Sequence, residues 1–207
     1  MLGDLEKNSM KFGFVTKEEI LPYLDIVAQL RIQYFKEFPY LYEGNLAYEM
    51  QYLTSFASNT EATLALAMDG EQIIGFATGT SLVSEFDILK SANNQTLNLG
   101  IQNEKCCYIG EVIVDKKYRG LKIGSNLIKM QESHFKTKGY QTAAFLTVNR
   151  EENHPLKPNN YLNPDIIWQK LGYTKTNQII AFSWPVIQLN GGVLEQENEL
   201  RFWVKEI

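Results

Sequence analysis

Val112-Ile-Val-Asp-Lys-Lys-Tyr-Arg-Gly-Leu-Lys-Ile-Gly-Ser-Asn-Leu-Ile128 decides how the rest of this chain is read. A β-branched run passes into a basic, glycine-spaced turn, and the turn opens directly onto a helical pattern. The N–H groups of a helix's first turn have no partner inside the helix, and the macrodipole leaves partial positive charge there. The turn over Gly120 to Ser125 therefore reads as an anion grip, suited to a phosphate. Two phosphate patterns fail on spacing. A P-loop needs two glycines flanking four residues and then Lys-Ser/Thr, whereas Gly120-Leu-Lys-Ile-Gly124 is shorter and has no lysine after it; a Gly-x-Gly-x-x-Gly fingerprint is also absent. Taken alone, the turn has a plain alternative, in which Gly120 merely reverses the chain while Arg119 and Lys122 are solvated.

Bulk properties narrow the partner. The chain has 207 residues, enough for one domain with a substantial core. Hydrophobic residues make up 44% and charged ones 21%, which is ordinary globular material. A formal charge of -4 argues against nucleic acid, whose phosphate backbone calls for a broad basic face. No apolar run approaches the roughly 18 residues that span a bilayer, and Met1 to Met10 lacks the basic-then-apolar order of a signal peptide. No membrane partner and a cytoplasmic location are expected. Cys106 and Cys107 are adjacent in an apparent strand, so their side chains point to opposite faces and read as buried thiols rather than a redox pair. His134 and His154 lie at no ligand spacing from these thiols or from each other, so no metal is expected.

Outward from the turn, the elements alternate. Phe12 to Val15 reads as a strand, and Thr16 with Glu19 forms a capping-box signature for a helix to Phe35. A second helix is expected over Leu46 to Ala57. Thr63 to Met68 and Gln72 to Val83 read as a hairpin joined by Asp69-Gly70, the dipeptide a tight turn prefers. A short helical turn and polar loop are expected over Ser84 to Leu99, with Asn93-Asn94-Gln95 in the loop. Cys107 to Val114 is the strand feeding the turn, and Leu121 to Lys138 its helix, with Gly139 as a left-handed cap. A strand over Gln141 to Val148, a loop over Asn149 to Asn163, a short helix from Pro164 to Lys170 and two strands, Gln178 to Trp184 and Leu200 to Val204, complete the chain. Strands alternating with helices after residue 107 imply a parallel pair, and the early hairpin implies antiparallel pairing. The expectation is one α/β domain over residues 1–207, with a mixed, mostly antiparallel sheet and helices on both faces.

These residues resemble a family. Val114-x-x-x-Tyr118-Arg119-Gly120-x-x-Ile123-Gly124, followed by Leu127-Ile128, is similar to motif A of the GNAT superfamily of acyl-CoA-dependent N-acyltransferases, with Lys122 where the family places its middle glycine. The hairpin leading into Ile73-Ile-Gly-Phe-Ala77 resembles the family's second and third strands, and Trp168-Gln-Lys-Leu-Gly-Tyr173 the end of its motif B. The likeness covers most of residues 11 to 184. It implies the acyltransferase fold, with a sheet splayed at its central parallel pair and acetyl-CoA as co-substrate in the splay. The pantetheine arm would pair with Val112, Ile113 and Val114 as an added strand. The pyrophosphate would rest on Arg119, Gly120, Leu121, Lys122, Ile123, Gly124 and Ser125, and the Val114 amide would face the developing oxyanion.

What the resemblance implies for catalysis is a general base that takes a proton from an incoming amine. Glu111 is the first candidate and Tyr108 the second; the competing reading of Glu111 is a pairing charge on the strand. The family often protonates the departing thiolate with a tyrosine four residues before the motif-B glycine, and here that position is Trp168, a very poor acid. Tyr161, Tyr173 or solvent would substitute. Asn163 and Trp168 would line the pantetheine arm, unless Trp168 is simply a core aromatic. Tyr34, Phe35, Phe38, Tyr40, Tyr42, Tyr48, Tyr52 and Phe56 supply an aromatic wall for an organic amine or, equally, core and lid packing. Glu37, Glu43, Glu49 and Glu85 would attract a cationic amine or be solvated surface. The expected acceptor is a primary amine of a small molecule or peptide, with a homodimer through late strands such as 200–204. Two other readings stand beside this one, a non-catalytic acyl-CoA sensor and a partner-binding domain on the same fold.

Overall fold

The computed structural model describes residues 10–85 and 99–207. Its strands are β1 (Lys11–Thr16), β2 (Thr63–Asp69), β3 (Gln72–Ser81), β4 (Cys106–Val114), β5 (Thr142–Val148), β6 (Thr174–Ile187) and β7 (Val193–Glu206). Its α-helices are α1 (Leu24–Phe35), α2 (Leu46–Ala57), α3 (Ile123–Thr137) and α4 (Asp165–Lys170), and residues 82–85 are also helical. The strands form one sheet in the order β1-β2-β3-β4-β5-β7-β6. Every neighbouring pair is antiparallel except β4 with β5, so the sheet is mixed and mostly antiparallel, as the sequence implies.

Strand alternation sorts the two faces by side-chain size. Leu64 and Leu66 of β2 pack with Leu24, Val27, Leu53 and Phe56 under α1 and α2. Ala65 and Ala67, one residue out of phase, lie under Ile123 and Leu127 of α3. Small residues let α3 approach the sheet closely, and large ones fill the wider gap beneath the α1/α2 layer.

The element that shapes the site is a β-bulge. Between Ala77↔Val112 and Gly79↔Ile109, β4 uses one residue more than β3, so Gly110 and Glu111 together oppose Thr78. A bulge strips backbone groups of their ladder partners, and side chains take them over. The Thr78 hydroxyl accepts the Glu111 N–H at 3.0 Å, Gln131 Nε2 donates to the Ala77 carbonyl at 2.7 Å, and the Thr63 hydroxyl lies 3.0 Å from the Gly79 carbonyl. A Cβ on Gly110 would stand 2.7 Å from Thr78 Oγ1, so only glycine fits there. The bulge also shifts the alternation. Cys107, Ile109, Val112 and Val114 face α3, while Tyr108 and Ile113 face the other side together with Glu111.

Several boundaries differ from expectation. The helix expected from Thr16 begins as a 3-10 segment, Lys17–Tyr23, and becomes α-helical only at Leu24. Pro22 has no N–H to give and disfavours α geometry in the residue before it. The capping box itself is formed, with the Thr16 N–H 3.3 Å from Glu19 Oε2. α3 starts at Ile123 rather than Leu121, because Lys122 takes a left-handed conformation at φ 62°. β6 and β7 run 14 residues each, twice or more the expected lengths. Pro185 marks a break in sequence, yet β6 is the edge strand, where a missing donor breaks no ladder. Leu200–Val204 is bonded on both sides, to β5 and to β6, so it offers no free edge for a second copy. The loop residues Asn93-Asn94-Gln95 lie outside the described residues, as do residues 1–9.

Candidate active site

β4 and β5 pair only at Cys106↔Thr142, Cys107↔Ala143 and Tyr108↔Ala144, and part after Tyr108, just before the bulge. From there on β4 is bonded to β3 alone. The Asp115 N–H bonds the Ile74 carbonyl at 2.8 Å, so the antiparallel ladder turns the N–H and C=O groups of Val112 and Val114 away from β3 and into the gap. A free polar strand edge thus lines a wedge between two strands of one sheet. Arg119 reaches back to it, with Nε donating to the Val114 carbonyl at 3.2 Å.

The quoted turn follows at once. Asp115 accepts the Lys117 N–H at 2.9 Å and caps a 3-10 turn over Lys116–Tyr118. The Tyr118 hydroxyl donates to Asp69 Oδ2 at 2.7 Å, which ties the turn to the β2–β3 hairpin. Gly120 then turns at φ 84°, with nothing within 4 Å of a Cβ built there, and Lys122 at φ 62°. No side chain caps α3, so its first N–H groups are left to point outward. Gly124 packs against Val112 and Val114, each 3.6 Å from a Cβ built on it, and seats the helix start beside the free edge. Open glycine at 120, an uncapped helix terminus and an unpaired strand edge are what the extended, anionic body of acyl-CoA needs. The residues present fit that group.

The opposite face of β4 is built from buried charge. Arg31 of α1 is only 8% exposed; its Nε donates to Glu49 Oε2 at 2.5 Å and its Nη1 pairs with Glu111 Oε1. Its guanidinium also stacks on Phe35 and Tyr52, 5.0 and 4.6 Å from their centroids. Glu111 receives in addition the Thr78 hydroxyl and the Tyr52 hydroxyl, the latter at 3.5 Å. Glu49 and Glu85 are therefore buried rather than solvated, at 0% and 5% exposure. Burial pushes the Glu85 carboxyl up to about 7 against the pull of Arg31. Glu37 and Glu43 remain at the surface, paired with Lys116 and Arg119, and with Lys36.

Tyr108 stands at the last paired position before the splay, and burial, then Glu85, hold its hydroxyl well above the usual tyrosine range. Burial pushes Tyr40 up to about 12, with Arg31 opposing and Tyr161 adding to the rise. Tyr161 itself packs edge-on against Phe38, at 4.7 Å, and is raised by burial and Asp165. Its loop is anchored there by Arg150, which donates to the Pro39 and Tyr40 carbonyls at 2.8 and 3.2 Å. Tyr108 and Glu111 thus share a face, and Tyr161 approaches it through Tyr40. Asn163 is exposed, and its Oδ1 accepts the Asp165 N–H at 2.9 Å in a turn leading into α4. Trp168 packs on Phe145, centroids 4.9 Å apart, beside the parting strands. Cys106 and Cys107 are buried free thiols on opposite faces, Cys106 pushed up to about 12 by burial. Among the described residues no cluster of His, Cys, Asp or Glu is placed to hold a metal ion, and no helix is long and apolar enough to cross a membrane.

Arg31, Thr78 and Gly110 have no place in the sequence reading. Two of them leave a signal. Arg31 falls between Val27 and Tyr34 at the spacing of the buried stripe, where a charge demands a partner. Gly110 is an isolated glycine inside a strand, which points to a bulge.

The fold recurs among known structures. An acetyltransferase from Thermus thermophilus superposes with a TM-score of 0.57 at 12% identity, over 96% of this chain and 97% of that one. An N-acetyltransferase from Staphylococcus aureus gives 0.56 at 15%, over 96% and 98%. A ribosomal-protein-alanine N-acetyltransferase from Brucella melitensis gives 0.57 at 12%, over 95% and 99%. No curated protein matches at the level of sequence. Residues 27–158, more than half of the chain and including the bulge, the splay and the turn, match the model of the acetyltransferase (GNAT) family, and the chain belongs to that family.

Proposed function

We propose that this protein transfers the acetyl group of acetyl-CoA to a primary amine, on a small molecule or a peptide terminus, by direct attack of the amine on the thioester. The observation that carries this reading is the unpaired edge of Val112 to Val114, which leads without interruption into the uncapped start of α3. Acetyl-CoA, when bound, supplies the activated acyl carbon. Val112, Ile113 and Val114 hold its arm as an added strand, and the N–H groups of Gly120, Leu121, Lys122, Ile123, Gly124 and Ser125 take the pyrophosphate, with Arg119 close by. The Val114 N–H, turned into the wedge, is the donor for the oxyanion. Asn163 and Trp168 border the arm from the α4 side.

Glu111 is the proposed base, with Tyr108 behind it and Tyr161 as the proton donor to sulfur. Glu111 is already ion-paired with Arg31. A cationic acceptor therefore competes with Arg31 for this carboxylate. The buried free thiols suit a reducing compartment such as the cytoplasm.

The test is calorimetric titration with acetyl-CoA, followed by assay of free CoA over a panel of primary amines. Micromolar binding, CoA release with at least one amine, and loss of binding in Gly124→Leu are expected. No binding by the wild-type protein, or equal binding by Gly124→Leu, sinks the donor site. Binding without release on any amine favours the second reading, an acyl-CoA sensor, which Trp168 in place of the family's tyrosine acid supports.

A further inference from the structure

The β6–β7 hairpin outruns the strand beside it. β5 pairs with β7 from Thr142↔Glu206 to Val148↔Leu200, and the Asn149 N–H bonds the Glu199 carbonyl at 2.8 Å. Among the described residues, 193–198 reach past that end and pair with β6 on one side alone. Backbone groups alternate along an antiparallel strand, so the bond from Asn149 fixes the sides. Glu195, Glu197 and Glu199 turn their N–H and C=O toward the line of β5, and Leu194, Gln196 and Asn198 turn theirs toward β6. No described residue takes the backbone groups of Glu195 and Glu197. The outer edge of β6, by contrast, is covered: the Glu43 N–H bonds the Pro185 carbonyl at 2.9 Å, and the Ile187 N–H the Leu41 carbonyl at 2.8 Å. The wedge between β4 and β5 lies on the far side of β5, so this open edge is not part of it.

We propose that the open edge of β7 over 193–198 docks an extended, basic peptide segment of a partner protein as an added strand. An exposed edge is a template for pairing, and the side chains along it choose the partner. Glu195, Glu197 and Glu199 fall at every second residue on the face of Trp203; all three are exposed and, among the described residues, none is ion-paired. On the other face Leu194 is 59% exposed. The complement is a strand that alternates Lys or Arg with apolar residues, one set beside the carboxylates and the other beside Leu194. Asn149 shows the mode in miniature, its N–H on the Glu199 carbonyl and its Nδ2 on Glu199 Oε2 at 3.0 Å. A second copy of the chain is the poorer occupant, since two such edges laid together set carboxylate against carboxylate. Docking here does not require acetyl-CoA.

The probe is an end-blocked octapeptide of alternating lysine and valine, titrated at low salt into 15N-labelled wild-type protein without acetyl-CoA. Before peptide is added, the Glu195 and Glu197 amide protons are expected to exchange with solvent faster than those of Gln196 and Asn198, which face β6. Peptide should slow exchange at Glu195 and Glu197 and shift their resonances. The double variant Glu195→Gln, Glu197→Gln is expected to bind it roughly twofold to thirtyfold more weakly, the range of two exposed ion pairs. Its melting temperature should stay within about 4 °C of wild type, as for surface substitutions. An octapeptide of alternating glutamate and valine should not bind. Failure of the lysine peptide to bind, or equal binding by the double variant, overturns the proposal. Slow exchange at Glu195 and Glu197 without peptide, in a protein that sediments as a dimer, gives the edge to a second copy and overturns it as well. None of these outcomes touches the acetyl-CoA reading, which stands or falls on its own titration.

Discussion

The two faces of β4 are built from different materials. Toward α3, the site is backbone: an unpaired strand edge, two positive-φ residues and a helix terminus that no side chain caps. Toward α1 and α2 it is side chain: Arg31 pinned between Glu49 and Glu111, with Glu85, Tyr40, Tyr52 and Tyr108 around it, the charged groups all buried. A backbone site tolerates exposure, because its groups are fixed by the chain and cost little to leave in water. A charged site of this kind stands only when every partner is present, since each buried charge is costly alone. The contrast suits the proposed arrangement, with a common donor held on one side and an acceptor selected on the other.

That contrast is most severely tested at Arg31. Arg31→Met leaves Glu49 and Glu111 buried without their cation, and about 3–5 kcal/mol of stability is expected to be lost in denaturant unfolding. A triple replacement of Arg31, Glu49 and Glu111 by apolar residues should recover most of it. If Arg31→Met costs no more than an ordinary surface change, the charged face is not coupled as described.

Glu85 gives the next largest effect, visible as pH dependence. Its carboxyl is raised from 4.5 to about 7, so the folded protein keeps a proton that the unfolded chain releases. Its contribution to stability is therefore full below about pH 4.5 and declines as pH rises to about 7, by about 3 kcal/mol at most. Glu85→Gln should remove this slope. His134, lowered by burial and Lys138, works in the opposite direction as pH falls, so the difference between wild type and variant is the quantity to follow. A difference that does not change between pH 5 and 7 contradicts the assignment.

The smallest effect belongs to the backbone face. Lys122→Gly relieves a left-handed penalty of about 1–2 kcal/mol and returns about 0.5–1 kcal/mol in chain entropy, a net gain of about 0–1.5 kcal/mol. Chemical denaturation of the two proteins side by side measures it, and a loss of stability would show that the lysine side chain makes a contact of its own there.

These magnitudes parallel what could be read in advance. Gly120, Gly124 and the β-branched strand before them are local signals with local causes, and the turn, the helix and the Asp69-Gly70 hairpin follow from them. The 3-10 start at Lys17 and the length of the β6–β7 hairpin were obscured by Pro22 and Pro185, whose effect depends on where the chain packs. Glu111 was legible as a charge on the strand, but its partners were not, because Arg31 and Thr78 lie 80 and 33 residues away in sequence.

The sequence by itself determined the backbone face, the proposed donor site: a strand, a glycine turn and a helix start, each set by φ/ψ preference and by backbone groups within about fifteen residues. Only the tertiary structure decided the charged face opposite. There β4 leaves β5 after Tyr108 and bulges against β3 at Gly110 and Glu111, and α1 and α2 bring Arg31 and Glu49 together beside the Glu111 carboxylate. Local conformation is encoded in neighbouring residues, whereas the partner of a buried charge is whichever distant side chain the packing brings within reach.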